Sequence, residues 1–171
     1  SKKLSENILK AIKSRGYKYI ELDAVIGADQ IIRRSGENFR QYMFSFQDPN
    51  GNEMCLRPDL TIVSCLRYLK NKTKTKEKIF YSGQAFRKIK DQGDKIIRNQ
   101  IGYEIIGSKS IKQADNEIIQ TSIKTIQKIK KTKLKIEIGN IKLFNLLLDK
   151  LKLPKRWKLR LSRHFWREKY F

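Results

Sequence analysis

The sequence predicts an α+β fold, a mostly antiparallel sheet flanked by helices, and three observations predict it. Two strand-like runs, Tyr42–Phe46 and Glu53–Leu56, flank Asp48-Pro-Asn-Gly51, a turn signal that makes them a β-hairpin. Two longer strand-like runs at 79–89 and 96–107 are joined by Lys90-Asp-Gln-Gly-Asp-Lys95. Helical segments are interspersed among these strands without alternating strictly with them, the arrangement of an antiparallel α+β sheet.

The elements follow in order. Leu4, Ile8, Ala11 and Ile12 recur at helical spacing, and Gly16 suits the end of that first helix. Tyr17–Leu22 reads as a strand. Residues 25–40 carry no clear period, and Arg33-Arg34-Ser-Gly-Glu37 reads as an exposed loop. After the hairpin, Pro58 and Asp59 open a helix over 60–70, proline favouring the entry and aspartate suiting the N-cap. A lysine- and threonine-rich loop, Asn71–Lys78, leads to the long strand pair. A helix over 112–131 carries Ile111, Ile118, Ile119, Ile123, Ile126 and Ile129 on a broad apolar stripe. Leu134–Ile138 reads as a strand and Ile141–Leu151 as a helix; Pro154 starts a last helical segment with Trp157, Leu161 and Phe165.

With 171 residues, 39% hydrophobic and 33% charged, the chain is long enough to bury a core and reads as one soluble globular domain, residues 1–171, with a heavily charged exterior. No apolar run reaches the roughly 18–20 residues that cross a bilayer, and the N-terminus lacks the apolar stretch of a secretory signal. No membrane contact and a cytoplasmic location are therefore expected. Cys55 and Cys65 lack the spacing of a zinc site and read as small buried or half-buried thiols, so no metal is expected. His164, the single histidine, leaves no Ser-His-Asp triad beyond itself and reads as packing or surface. The net charge of +22 suits a nucleic-acid partner, an acidic protein partner or a solvated surface. Abundant Lys, Ile and Asn fit codon bias, and Lys124, Lys128, Lys130, Lys131, Lys133 and Lys135 point in several directions instead of forming one stripe.

Three segments carry chemistry. Cys55-Leu-Arg-Pro-Asp-Leu-Thr61 places a carboxylate, Asp59, and a hydroxyl, Thr61, at a helix start. Phe80-Tyr-Ser-Gly-Gln-Ala-Phe-Arg87 ends an aromatic strand on an arginine. Asn99-Gln-Ile-Gly-Tyr-Glu-Ile-Ile-Gly107 puts Gln100 and Glu104 four apart on one strand, hence on one face, with Ile101, Tyr103 and Ile105 alternating and Gly102 leaving room for a ligand. Two carboxylates, a hydroxyl and an amide suit a ligand with an ammonium group and a ring N–H. The plainer alternative makes Asp59 only a helix cap and the Gln100–Glu104 pair exposed polar residues of an alternating strand.

In order and spacing these segments resemble the histidyl-tRNA synthetase family, over roughly residues 4–153. That resemblance implies a class II synthetase-like core in which Asp59 and Thr61 hold the α-ammonium of histidine, and Gln100 and Glu104 complete the histidine-binding set, the glutamate on the imidazole. Arg87 matches the arginine that faces the ATP phosphate. Several positions depart from the pattern of an active synthetase. Ile89 stands where a glutamate is expected, Asp91-Gln-Gly-Asp94 replaces an arginine-rich loop, and Arg98 and Asn99 replace an aromatic residue and a histidine. Ala24 replaces a proline, Asp59 is one methylene shorter than the usual glutamate, and no third class II motif, Arg-Gly-Leu-Asp-Tyr-Tyr segment or anticodon-binding domain is found. Amino-acid binding kept while adenylation machinery erodes resembles the regulatory subunits of ATP phosphoribosyltransferase, and Leu153–Trp157 with Arg160–Arg167 resembles their α-proteobacterial branch.

The resemblance implies a non-catalytic subunit of histidine biosynthesis with no catalytic residue and no cofactor. Such a subunit activates a short catalytic subunit of ATP phosphoribosyltransferase and senses L-histidine as its feedback effector. It also implies a homodimer within a hetero-oligomer, with tRNA an unlikely partner, and leaves Arg87 as a vestigial phosphate contact. The alternatives are a synthetase catalytic-domain fragment that activates histidine with ATP, and a synthetase-like tRNA-binding module.

Overall fold

A computed structural model describes residues 2–71, 75–88, 93–129 and 133–164, which group into two compact units, Ser1–Thr132 and Lys133–Phe171. In the first unit the order is α1 (Lys2–Lys13), β1 (Lys18–Tyr19), β2 (Val25–Gly27), α2 (Ala28–Ser35), a 3-10 helix (Glu37–Tyr42), β3 (Ser45–Gln47), β4 (Glu53–Leu56), α3 (Leu60–Lys70), β5 (Glu77–Phe86), β6 (Ile97–Ile106) and α4 (Ile111–Ile129). The second unit holds α5 (Ile141–Lys150) and α6 (Lys155–His164).

The strands form two three-stranded sheets, ordered β1-β5-β6 and β2-β4-β3, where the sequence reading fed one. β1 runs parallel to β5, and the other three pairings are antiparallel. The α+β class with a mostly antiparallel sheet is the observed one. The β5–β6 hairpin is the backbone of the fold, in register from Glu77 opposite Ile106 to Phe86 opposite Ile97.

Alternation along that hairpin divides the core. Ile79, Tyr81 and Ala85 point to one side and pack with Ile20 and Leu60, while Phe80 points to the other with Ile12, Tyr17, Ile101, Tyr103 and Ile105. A third cluster, Ile26, Ala28, Ile31, Met43, Cys55 and Val63, lies between the small sheet and α2. Cys55 is buried, and burial pushes its thiol up to about 11, whereas Cys65 is exposed on α3 and departs from the expected buried or half-buried setting.

Several elements differ from the sequence reading. The strand expected over Tyr17–Leu22 pairs only at Lys18–Tyr19, and the Leu22 carbonyl beyond it accepts from the Arg57 guanidinium. The exposed loop expected at 33–37 is instead the last turn of α2 and the start of the 3-10 helix, though its side chains are exposed as expected. Helix α2 is eight residues long and its N-cap Gly27 supplies no side-chain cap, so no start signal marked it, although Gly36, at φ 84°, closes it. Leu134–Ile138 pairs with no strand among the described residues; without a ladder partner its alternating pattern alone forms no sheet.

The isoleucine stripe of α4 is only partly buried. The residues it buries are Thr121 and Thr125, whose small side chains suit the close contact of α4 with α1. A polar seam accompanies that contact: Arg15 Nε donates to Thr121 Oγ1 at 2.9 Å, and the Tyr103 and Ser122 hydroxyls pair. Phe165, assigned to the last helix, lies outside the described residues. Among the described residues no helix is long and apolar enough to cross a membrane.

Candidate functional site

The site is built where the start of α3 meets the β5–β6 face, and Arg57 fixes the join. Its backbone N–H donates to Ala24 O at 2.8 Å, and its carbonyl accepts from Phe86 N at 3.0 Å. Its guanidinium, in a side chain only 8% exposed, donates through Nε to Gln84 O at 2.8 Å and through Nη1 to Leu22 O. Gly83 makes this possible, since a Cβ there would stand 2.5 Å from Arg57 Nη2. The neighbouring Pro58 carbonyl accepts from Arg87 Nε at 2.8 Å. Helix start and strand end are thereby tied at two successive residues.

Asp59 uses its two oxygens differently. Oδ1 caps α3, accepting from Ile62 N at 3.0 Å. Oδ2 faces Gln100 Nε2 at 3.4 Å and Arg87 Nη2 at 3.9 Å. One oxygen thus caps the helix, as the plainer alternative has it, and the other faces Gln100 and Arg87. Gln100 also accepts from Leu60 N through Oε1 at 3.2 Å, so its amide bridges the helix start.

Thr61 and Glu104 are joined by a residue the sequence reading passed over. Tyr81, 1% exposed, has its hydroxyl 3.0 Å from Thr61 Oγ1 and donates to Glu104 Oε1 at 2.8 Å. Tyr81 pairs in register with Gly102, and a Cβ on Gly102 would stand 2.4 Å from the Tyr81 hydroxyl oxygen and 2.6 Å from its ring. The room left by Gly102 is thus filled by the Tyr81 ring and not by open space for a ligand. The signal was the pairing of an aromatic strand residue with a glycine across a hairpin, legible only once the register is known. Gly102→Ala is expected to destabilise the fold by about 1–3 kcal/mol, the usual cost of overpacking. It should also break the Tyr81–Glu104 contact; a denaturation midpoint equal to that of the wild type would show that the ring moves aside freely.

All four residues named from the sequence, Asp59, Thr61, Gln100 and Glu104, come together on one half-buried face. Burial holds the Glu104 carboxyl above the ordinary carboxylate range, aided by the nearby Asp59 charge and opposed by hydrogen bonds from Tyr81 and Thr61. Burial likewise pushes the Tyr81 phenol up, so it remains a hydrogen-bond donor. Two carboxylates sharing a desolvated face favour a cationic ligand that donates N–H groups to both.

Arg87 turns its other side to a separate cleft of about 330 Å³ lined by Phe39, Tyr42, Arg87, Lys88, Asp94 and Arg98. Its guanidinium carbon lies 5.8 Å from the Phe39 ring centroid, and Arg98 pairs with Asp94 at 2.7 Å. Phe39 escaped the sequence reading because it lies in the stretch without a period. Among the described residues no cluster of three His, Cys, Asp or Glu side chains is placed to hold a metal ion.

A relative from Mesorhizobium japonicum named as an ATP phosphoribosyltransferase regulatory subunit is 28% identical over 95% of this chain and 43% of its own. One of the same name from Allorhizobium ampelinum is also 28% identical, over 92% of this chain and 42% of its own. The chain thus spans under half the length of these relatives. Among solved structures, an ATP phosphoribosyltransferase regulatory subunit/histidyl-tRNA synthetase from Bacillus halodurans superposes with TM-score 0.82 at 23% identity, over 99% of this chain and 44% of that one. Histidyl-tRNA synthetase from S. aureus superposes with TM-score 0.59 at 21% identity, over 74% of this chain and 30% of that one. These likenesses give a class II synthetase-like fold. The histidyl-tRNA synthetase family model matches residues 1–170, nearly the whole chain, and the chain belongs to that family.

Proposed function

We propose that this chain is part of a regulatory subunit of ATP phosphoribosyltransferase, non-catalytic itself, that senses L-histidine and sets the activity of a short catalytic subunit. The observation that carries the reading is the convergence of Asp59, Thr61, Gln100 and Glu104, with Tyr81, on one face beside a hairpin whose sequence lacks the glutamate two residues after Arg87. Histidine would place its α-ammonium at Asp59 and Thr61 and its ring N–H at Glu104. The names of the curated relatives support the same reading. Homodimerisation within the hetero-oligomer and a cytoplasmic location belong to this proposal, as does the vestigial phosphate contact of Arg87.

Inhibition follows from linkage: histidine inhibits only if it binds the inactive arrangement of the complex more tightly than the active one. A coupling on the order of 1–3 kcal/mol, about 5–150-fold in apparent affinity, is the expected size. The test is the ATP phosphoribosyltransferase rate of a short catalytic subunit from the same genome, with and without this chain, across a histidine titration. Activation that histidine reverses is the expected result. An unchanged rate at every histidine concentration would remove the regulatory role. The family match also favours a second reading, a fragment of a histidine-activating synthetase; histidine-dependent ATP–pyrophosphate exchange once the downstream sequence is restored would select it, and no exchange from that full-length chain would remove it.

A further inference from the structure

We propose that Tyr81 is a positioning residue that sets the specificity of the polar face, restricting it to ligands that donate hydrogen at both Thr61 and Glu104, an assignment that rests on the histidine-sensing reading above. A carboxylate carries no proton, while a phenol and an aliphatic hydroxyl carry one each. Tyr81 spends its proton on Glu104 Oε1 at 2.8 Å. The 3.0 Å contact between the Tyr81 and Thr61 hydroxyls therefore has Thr61 as its donor. Thr61 also lies close enough to the Glu104 carboxylate to lower its pKa by hydrogen bonding, and a bond there spends the same proton. Either way, what Thr61 keeps for a ligand is lone pairs, and Glu104 keeps Oε2, also an acceptor.

Burial keeps this order fixed. Tyr81 is 1% exposed, so its hydroxyl is shut off from bulk water that would offer it other partners. Its ring packs with Ile20, Leu60, Ile79 and Ala85, and the missing Cβ of Gly102 leaves the hydroxyl oxygen its place. The groups that face Glu104 come from two packed elements: Tyr81 from β5, and Asp59, Thr61 and Cys65 from α3. On β6 itself Gln100 shares the face, and its amide is turned to Leu60 N and Asp59 Oδ2. Asp59 brings only acceptors and Cys65 a weak S–H, so neither replaces the phenol as the donor that holds the carboxylate.

A ligand that brings N–H groups to both Thr61 and Glu104 matches this face at each end. One that brings an acceptor or a hydrocarbon edge to either end leaves a half-buried acceptor unpaired, and that loss is what separates ligands. Tyr81 acts on this choice through Thr61 and Glu104 without touching the ligand. Ordinary packing would need only its ring; the hydroxyl chain is the part that selects.

The test is isothermal titration calorimetry of the wild-type chain and Tyr81→Phe over a pH series, with L-histidine and with thienyl-L-alanine, which keeps the ammonium and the ring shape but has no ring N–H. Phenylalanine fills the same space without the hydroxyl, and urea unfolding reports any damage to the fold. Selectivity for histidine over thienylalanine is expected to fall about 10-fold in Tyr81→Phe, on the order of one hydrogen bond to a charged group. The Tyr81 bond favours the ionised carboxyl, so its removal raises the Glu104 pKa further. The pH at which histidine affinity is half lost should therefore move up in Tyr81→Phe, the ligand's own titration being common to both proteins. A ring-fluorinated tyrosine in place of Tyr81, a stronger donor of nearly the same shape, should move it down, and it keeps the test decisive if the phenylalanine variant does not fold. If the wild type binds histidine but selectivity and the pH midpoint stay the same in the variants, Tyr81 only fills space: the assignment is wrong and the histidine-sensing reading stands. Equal wild-type affinity for the two ligands would also overturn the assignment. If the wild-type chain binds no histidine, both fall.

Discussion

Replacing Arg57 with alanine is expected to lower the unfolding free energy by about 3–5 kcal/mol, from the loss of two charged-donor hydrogen bonds worth about 1.5–3 kcal/mol each. Its guanidinium serves the Gln84 and Leu22 carbonyls from a buried position, and without it both acceptors remain away from water. Burial also opposes the charge and lowers the Arg57 pKa, which trims the net loss below the simple sum. Arg57→Lys should recover little of it, since one ammonium on a flexible stem cannot reproduce the planar fork that spans both carbonyls. Urea unfolding of wild type and both variants is the measurement. A loss below 1 kcal/mol for the alanine variant, on the order of one ordinary neutral hydrogen bond, would show that the join is held elsewhere.

On the proposed histidine-sensing reading, Glu104→Gln is expected to weaken histidine binding by about 1.5–3 kcal/mol, or roughly 10- to 150-fold, because a neutral amide replaces the carboxylate assigned there to a ring N–H. The fold should tolerate it, since a glutamine oxygen can still accept from the Tyr81 hydroxyl. The pH dependence gives a second signature. The carboxyl titrates above the ordinary carboxylate range in the free protein, chiefly through burial. A cationic ligand prefers the ionised form, so binding lowers that pKa and releases a proton, and affinity falls as pH drops through the free-state value. The same raised pKa means that ionising Glu104 costs the unliganded fold stability as pH rises through it. Isothermal titration calorimetry at several pH values tests the first, and urea unfolding over the same range the second: wild type should show the loss of affinity at low pH, and Glu104→Gln should retain only the titration of the ligand itself. Equal histidine affinity in wild type and variant would remove Glu104 from the site.

Much of the site was legible because its residue types and spacing are local. Asp59 follows a proline at a helix start, and Gln100 and Glu104 share a strand face by period alone. The hairpin around Asp48–Gly51 and the helices α1, α3, α4, α5 and α6 were legible for the same reason: each carries its own turn, cap or apolar spacing. The missed pieces depended on partners distant in sequence. Tyr81 looked like one more aromatic of a strand until the register set it over Gly102. Beyond the short β1, the Leu22 carbonyl is claimed by an arginine thirty-five residues away. Thr121 and Thr125, unremarkable on an isoleucine-rich helix, are buried because α1 comes close.

The sequence by itself determined the α+β class and the family and put four polar residues forward for one candidate face, since local period, capping and motif spacing are written along the chain. Only the tertiary structure decided that Asp59 divides its oxygens between capping α3 and facing Gln100, that Tyr81 links Thr61 to Glu104, and that Arg57 joins helix to strand. Each of these depends on which groups lose water together, and burial belongs to contacts between distant segments and not to any one stretch of chain.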